Sequence, residues 1–148
     1  MAVKPRRQGR RPAVPTLDVM LTLMRAARAI EDRFESALSK VDLSGPKFGA
    51  LTVLVKAGEP LSLGELAARL TCVRSNITQL VDRLEADGLV RRVNDPHDRR
   101  GKQAAVTALG AERRVAGARV MRKLEKEVSA AVSALDHDAL KRVLEALK

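Results

Sequence analysis

One segment of the chain, from Arg74 to Asp87, carries side chains whose chemistry suits the edges of DNA bases. Apolar residues recur along it at helical spacing, which predicts a helix with one buried face. The other face carries guanidinium, hydroxyl and amide groups, on Arg74, Ser75, Asn76, Thr78, Gln79 and Arg83. Such groups bind base edges and phosphates in a major groove. Alone, this pattern is better explained as a solvated polar face, so the interpretation depends on the neighbouring elements.

A capped helix and a short turn precede this segment. Ser62 and Glu65 have the spacing of a capping box, which predicts that a helix begins at Ser62. Residues 71–73 form the predicted turn, and Gly88 is placed to end the next helix in a left-handed conformation. Two short helices joined by a tight turn predict a helix-turn-helix, in which residues 74–87 form the helix that reads DNA.

A charged hairpin follows the two helices. We predict strands from Leu89 to Asn94 and from Lys102 to Thr107, joined by a loop that contains Asp98, Arg99 and Arg100. A hairpin tip with adjacent arginines suits a minor groove, whose negative potential attracts them. Asp98 is interpreted as the partner that orients Arg100 or another nearby basic side chain. The hairpin is therefore predicted to be a DNA-binding wing.

The predicted DNA contacts fall into three groups. The candidates for base edges in the major groove are Arg74, Asn76, Thr78 and Gln79. The candidates for phosphate contacts are Ser62, Ser75, Arg83 and Lys102. Arg100, followed by Arg99, is expected to enter the minor groove, with Asp98 beside them.

Four further helices are expected around this unit. The first runs from Thr16 to about Lys40, and at ~1.5 Å per residue it is ~37 Å long, more than a small domain needs to cover itself. Ser44 is expected to cap a second helix that ends at Ala57. A second long helix runs from residue 107 or 108 to about 134. Asp136 caps the last one, whose apolar residues are expected to face inward, namely Leu140, Val143, Leu144 and Leu147. Long helices of this kind cover either their own core or a partner, and their length favours a partner.

The domain organisation follows from these elements. Residues 1–15 form a basic flexible tail, which is either simply solvated or lies on DNA. An N-terminal dimerisation helix occupies residues 16–43, the winged helix-turn-helix residues 44–110, and C-terminal dimerisation helices residues 111–148.

The composition supports a partner that is an anion. Basic residues exceed acidic ones by 28 to 18, a formal net charge of +10, which attracts nucleic acid or an anionic membrane surface. No apolar run approaches the ~18 residues that span a bilayer, and no apolar stretch of a secretory signal follows the basic N-terminus. The single cysteine, Cys72, cannot form an internal disulfide. We therefore expect a cytoplasmic protein without a membrane partner.

Catalytic and metal-binding patterns are not found in the sequence. His97 and His137 lie far apart with no ligand cluster around them, so we expect no metal site. There is no nucleophile–base pairing or phosphate-binding loop, so we expect neither enzymatic activity nor a cofactor. Cys72 is interpreted as a core residue rather than as a redox switch, which would need an exposed thiol of lowered pKa.

Three motifs resemble those of the MarR family of bacterial regulators. Residues 74–85 with Gly88-Leu89-Val90 resemble the family's recognition helix and its exit. Asp95-Pro96-His97-Asp98-Arg99-Arg100 resembles its wing, and Val106-Thr107-Ala108-Leu109-Gly110 the start of its fifth helix. The order of helices extends the resemblance loosely from about Leu17 to Lys148.

The resemblance implies a homodimer whose N- and C-terminal helices interlock. It also implies repression from a palindromic operator, relieved by a small ligand or by oxidation. The family's Asp-x-Arg wing pattern falls on Asp98 and Arg100. Two departures stand out: Val73 occupies a position where a Ser or Thr cap is common, and the first helix lacks the cysteine with which some members sense peroxides.

The predicted fold is mainly α-helical with a small β-wing, a winged helix-turn-helix plus interlocking dimerisation helices. The predicted function is that of a sequence-specific regulator, a repressor that acts as a homodimer on double-stranded DNA and is released by a small-molecule effector. The alternative is an architectural protein that coats or bends DNA with little sequence preference. A second alternative is an interaction module whose wing binds a protein or an acidic membrane.

Overall fold

The computed structural model describes residues 14–70, 77–98 and 101–148. Within these ranges the chain forms six helices and three strands. In chain order they are α1 (Thr16–Ser39), α2 (Gly45–Ala57), β1 (Leu61–Ser62), α3 (Leu63–Arg69), α4 (Ile77–Ala86), β2 (Val90–Asn94), β3 (Lys102–Val106), α5 (Ala108–Val132) and α6 (His137–Ala146). The predicted order of helices and wing strands is confirmed.

Internal contacts divide the chain into two units, one ending at Asp32 and the other spanning Arg33–Lys148. In the first unit, every described residue is exposed, including apolar side chains such as Leu17 and Met24, the latter at 66%. Exposed apolar side chains at helical spacing give this part of α1 a face that the single chain does not bury.

The second unit has one compact apolar core. Its largest fully buried side chains come from six elements, and they are Leu38, Leu51, Leu54, Leu61, Leu66, Val81, Leu84 and Val90. The core therefore lies where α2, α3 and α4 meet the sheet, with Leu38 near the end of α1 added. Within the described ranges, none of the fully buried core residues is aromatic. This agrees with the composition, which includes two Phe, no Trp and no Tyr.

The sheet has three antiparallel strands in the order β1-β3-β2. Residues of β2 and β3 pair in register from Val90↔Val106 to Asn94↔Lys102. The sequence predicted only these two strands. It missed β1, which pairs Leu61 with Ala104, because a two-residue strand is created by a distant partner and has no local pattern of its own.

Two of the predicted helix caps, at Ser62 and Asp136, are present, and Thr107 adds a cap that the sequence did not predict. The Ser62 hydroxyl accepts a hydrogen bond from the Glu65 amide, and the Glu65 carboxylate accepts one from the Ser62 amide, which completes the capping box. The Thr107 and Asp136 side chains accept from amides in the first turns of α5 and α6.

The predicted cap of α2 is wrong in its chemistry. Ser44 occupies the N-cap position but its side chain makes no capping hydrogen bond. Instead the amide of Gly45 donates to Glu35 Oε1 at 2.9 Å. A carboxylate from α1 satisfies this helix end, and only tertiary contact brings it there.

The expectation that α6 turns its apolar residues inward is also wrong for the single chain. Val143, Leu144 and Leu147 are all exposed, and none of the residues in α6, which is described throughout, is fully buried. An amphipathic helix without a covered apolar face needs another surface to bury it.

Within the described ranges, no helix combines the length and apolar character required to cross a membrane.

Candidate nucleic-acid interface

The buried face of α4 determines which of its side chains point outward. Leu80, Val81 and Leu84 lie in the core. Because these residues occupy one side of the helix, Thr78, Gln79 and Arg83 are exposed on the other. The predicted polar face is therefore present over the described part of α4.

The end of α4 is fixed by a left-handed glycine. Gly88 has φ = 73°. Its amide donates to Glu85 O, and the amide of Leu89 donates to Leu84 O, both at 2.9 Å. These two bonds form the predicted Schellman motif, which turns the chain directly from α4 into β2.

The base of the wing is closed by backbone hydrogen bonds. The Asp95 amide donates to Gly101 O at 3.0 Å, and the Gly101 amide donates to Asp98 O at 2.9 Å. Lys102 Nζ lies 2.5 Å from Asn94 Oδ1 across the two strands. Asp98 and Lys102, two of the predicted contacts, are both exposed beside this closure.

Several predicted contacts lie outside the described residues. They are Arg74, Ser75 and Asn76 before α4, and Arg99 and Arg100 in the wing. Cys72 and the basic segment 1–13 are also outside these ranges, so the interpretations made for them stay predictions.

Ser62 has a structural role in addition to its predicted phosphate contact. Its hydroxyl donates to Glu65 Oε2 at 2.8 Å and accepts from the Glu65 amide at 3.2 Å. The hydrogen bond from the hydroxyl, followed by that from the Ser62 amide, lowers the pKa of the Glu65 carboxyl. A phosphate contact by Ser62 stays a prediction, and it would have to share this hydroxyl with the cap.

Sequence reasoning missed a cluster of charges between α4 and the wing. The Arg92 side chain in β2 binds two carboxylates of α4, with Nη2 at 2.5 Å from Asp82 Oδ1 and Nη1 on Glu85 Oε2. These hydrogen bonds, led by that to Asp82, raise the pKa of the Arg92 guanidinium. The sequence shows that Asp82 and Glu85, spaced i, i+3, share one side of the helix, but it does not show that Arg92 lies against them.

Two more contacts attach the reading unit, which consists of α3, α4 and the wing strands β2 and β3, to its surroundings. Lys47 of α2 pairs with Asp87 at the end of α4, Nζ to Oδ2 at 2.5 Å. Thr107 Oγ1 donates to Gly88 O at 2.7 Å, which holds the start of α5 against the α4–β2 turn. Gly110 makes this approach possible, because a Cβ there would lie 2.0 Å from Leu89 O.

No group of three or more potential metal ligands comes together within the described ranges. What the structure does bring together is an exposed polar helix face and a basic hairpin, joined through one turn. Two helices before a two-stranded hairpin, backed by a third short strand, define a winged helix-turn-helix protein.

A family model described as the MarR family matches residues 41–101 of this chain. The HTH-type transcriptional regulator PrsX of Escherichia coli is 31% identical over 102 residues, 67% of this chain and 61% of that protein. The HTH-type transcriptional repressor IacR of Pseudomonas putida is 36% identical over 76 residues, 51% of this chain and 45% of that protein. The chain spans about 61% of the length of the first curated relatives that it matches.

Solved structures extend the likeness over most of the chain. The M. tuberculosis regulator MosR, solved in complex with DNA, is 29% identical with a TM-score of 0.66, over 86% of this chain and 91% of that one. CouR from Rhodococcus jostii RHA1, bound to p-coumaroyl-CoA, is 25% identical with a TM-score of 0.66, over 88% and 89%. The chain belongs to the MarR family. These relatives are named as regulators, which agrees with the prediction that the chain is not an enzyme.

Proposed function

We propose that this chain is a sequence-specific DNA-binding transcriptional regulator, a repressor that acts as a homodimer on a palindromic operator in the cytoplasm. The observation that carries the proposal is the exposed polar face of α4, held by the core and joined through Gly88 to a wing that contains adjacent arginines. The DNA complex of MosR supports the partner, and the name of IacR supports repression.

The proposed contacts are those predicted from the sequence. Thr78 and Gln79, with Arg74 and Asn76 before them, are placed at base edges of the major groove. Arg83 and Lys102 are exposed and suit phosphates. Arg100 enters the minor groove, where negative potential attracts a guanidinium.

The proposed dimer explains the exposed apolar faces outside the core. Met20 and Met24 of α1, Leu144 of α6 and Leu147 at the C-cap of α6 are more than half exposed in one chain. Surface of this extent on two amphipathic helices is typical of an interface. A second copy of the chain would cover it and set the distance between two recognition helices.

An effector is part of the proposal because CouR was solved with p-coumaroyl-CoA bound. Phe34 and Phe48 are the two aromatic residues of the chain, and both pack against the core. An effector site would therefore be lined mainly by aliphatic and charged side chains. Release of bound DNA by acyl-CoA thioesters, measured by fluorescence anisotropy, tests this part.

Selection from a random duplex pool at ~150 mM salt tests the proposal as a whole, since at lower salt charge alone holds any duplex. The expected result is an enriched palindrome with half-sites ~10 bp apart, centre to centre. Retention of DNA without an enriched motif would favour an architectural protein, for which the net charge of +10 is the supporting feature.

The wing is tested by Arg100→Ala. We expect weaker binding to the selected duplex and a smaller dependence of affinity on salt, by ~1 unit of slope for each phosphate that the variant no longer neutralises. Lys123→Ala, an exposed basic residue on α5, is the matched control. Equal affinities and slopes for the two variants would remove the wing from the proposed interface.

A further inference from the structure

The charge cluster between α4 and β2 has a geometry that links the two DNA-contacting elements. β2 is an edge strand, because β3 lies between it and β1. Its outer edge faces α4, where the amide of Arg92 donates to Glu85 Oε1 at 3.1 Å. A backbone amide on the edge of the sheet is thus bound by a side chain of α4.

The Arg92 side chain adds two bonds in the same direction. One Nη binds Asp82 and the other binds Glu85, so that one planar guanidinium spans two carboxylates one helical turn apart. A planar fork of this kind restricts the orientation of both partners more than a single ammonium does. Three hydrogen bonds therefore fix the angle between α4 and the strand that leads into the wing.

The position of Arg92 makes that angle important for the wing tip. Arg92 lies two residues before the end of β2 at Asn94, and the wing loop follows directly. A rotation of β2 about α4 would move the loop arginines relative to the polar face of α4.

The cluster also changes the charge that DNA would meet. Asp82 lies three residues after Gln79 and next to Arg83, on the exposed part of α4. Without a neighbouring cation, the carboxylates of Asp82 and Glu85 would repel DNA phosphates that approach this face. The arginine compensates both of them from the strand side, with its own side chain only 26% exposed.

We propose that Arg92, Asp82 and Glu85 form a clamp that positions the wing relative to α4, so that one reading unit engages both grooves in a fixed geometry. The inference rests on the proposed function. Arg92 is a positioning residue, and its side chain acts through α4 and the wing rather than on DNA. Exposed ion pairs add little to folding stability, so the main consequence is for the discrimination between DNA sequences.

Glu85→Ala gives a test in which charge and geometry predict opposite results. The variant is one unit more positive, so electrostatics alone would tighten its binding to every duplex. The clamp predicts that affinity for the selected palindrome falls about tenfold, the size expected for residues that act as one coupled network. Affinity for a scrambled duplex of the same composition is expected to stay equal or rise.

Glu112→Ala is the matched control, since it removes the same charge from an exposed position on α5. We expect it to leave the ratio of the two affinities unchanged. A decrease in the amount of folded protein would lower both affinities equally, and so would leave that ratio unchanged too. If Glu85→Ala keeps the ratio of wild type, the clamp has no part in reading sequence and the inference is overturned.

Two further measurements complete the test. Arg92→Lys keeps the charge but loses the planar guanidinium. We expect its ratio of palindrome affinity to scrambled-duplex affinity to lie between those of wild type and Glu85→Ala. A ratio equal to that of wild type would show that the planar guanidinium is not required. Without DNA, the Arg92 amide should be protected from hydrogen exchange in wild type and exchange faster in Glu85→Ala, and equal exchange in both would contradict the clamp.

Failure of wild type to enrich any duplex would overturn the proposed function and this inference with it, whereas an enriched palindrome with an unchanged ratio would overturn this inference alone.

Discussion

The reading unit and the helices that flank it bury their apolar residues to very different degrees. In the reading unit, leucines such as Leu66 and Leu84 have no accessible surface. In α6, Leu144 is 58% exposed although the helix is equally amphipathic in sequence. Leucines are therefore buried in the core of the single chain and exposed on the flanking helix, so that the single chain completes the core but leaves the flanking apolar face uncovered.

α5 belongs to both regions. It begins directly after the wing, and in its first half Gly117 packs so closely on Phe48 of α2 that a Cβ would lie 2.6 Å from the ring. Its last residues include Val132, which is exposed. A helix that is anchored at one end in the core and uncovered at the other is suited to transmit the geometry of the proposed dimer interface to the wing.

The largest effect on stability is expected from Leu66→Ala. The fully buried side chain leaves a cavity, so the free energy of unfolding should fall by roughly 2–5 kcal/mol. Urea denaturation measures the change, with Leu144→Ala as the matched deletion on an exposed helix face. The measurement is made at high dilution, where single chains predominate. Equal decreases in the free energy of unfolding for the two variants would contradict the difference in burial between the two regions.

A smaller effect, on association rather than folding, is expected from Leu144→Ala. Truncation of an apolar side chain at the proposed interface should raise the dimer dissociation constant about tenfold or more. Sedimentation equilibrium provides the measurement, and Lys141→Ala, exposed on the same helix, is the control. An unchanged dissociation constant would exclude this face of α6 from the dimer.

The smallest effect is expected at the capping box, within the reading unit but on its surface. Ser62→Ala should lower the free energy of unfolding by ~1 kcal/mol at pH 7. The pKa of Glu65 is lowered in the folded state, first by the Ser62 hydroxyl. Its stabilising contribution is therefore present above the pKa of the unfolded chain, ~4.3, and is lost as pH falls through the folded pKa.

Thermal or urea unfolding of wild type and Ser62→Ala between pH 7 and pH 3 checks this dependence. The difference between the two proteins should shrink below about pH 4. A difference that grows on acidification would contradict the assignment of the ionised Glu65 as the partner of Ser62.

The features that the sequence predicted well depend on neighbours in the chain. Ser62 and Glu65 are three residues apart, and the Schellman end at Gly88 needs only the last turn of α4. The capping box and the Schellman motif are both encoded by residues close in sequence, so they do not depend on the rest of the fold.

The features that it missed depend on residues far apart. Leu61 becomes a strand because Ala104 pairs with it, and Glu35 replaces Ser44 as the cap of α2 because α1 brings it there. The Arg92 clamp joins residues seven and ten positions apart across a turn. The apolar face of α6 is not covered in the single chain, and the sequence could not show this because periodicity shows that a face is apolar but not what covers it.

We propose that the flanking helices hold two copies of the reading unit at a fixed spacing on DNA. The most direct test inserts ~5 bp, half a helical turn, between the half-sites of the selected palindrome and measures affinity by fluorescence anisotropy. Because this insertion places the half-sites on opposite faces of the duplex, we predict that affinity falls on the order of a hundredfold for a rigid dimer. An unchanged affinity would show that the two units bind independently, and would contradict a dimer of fixed spacing.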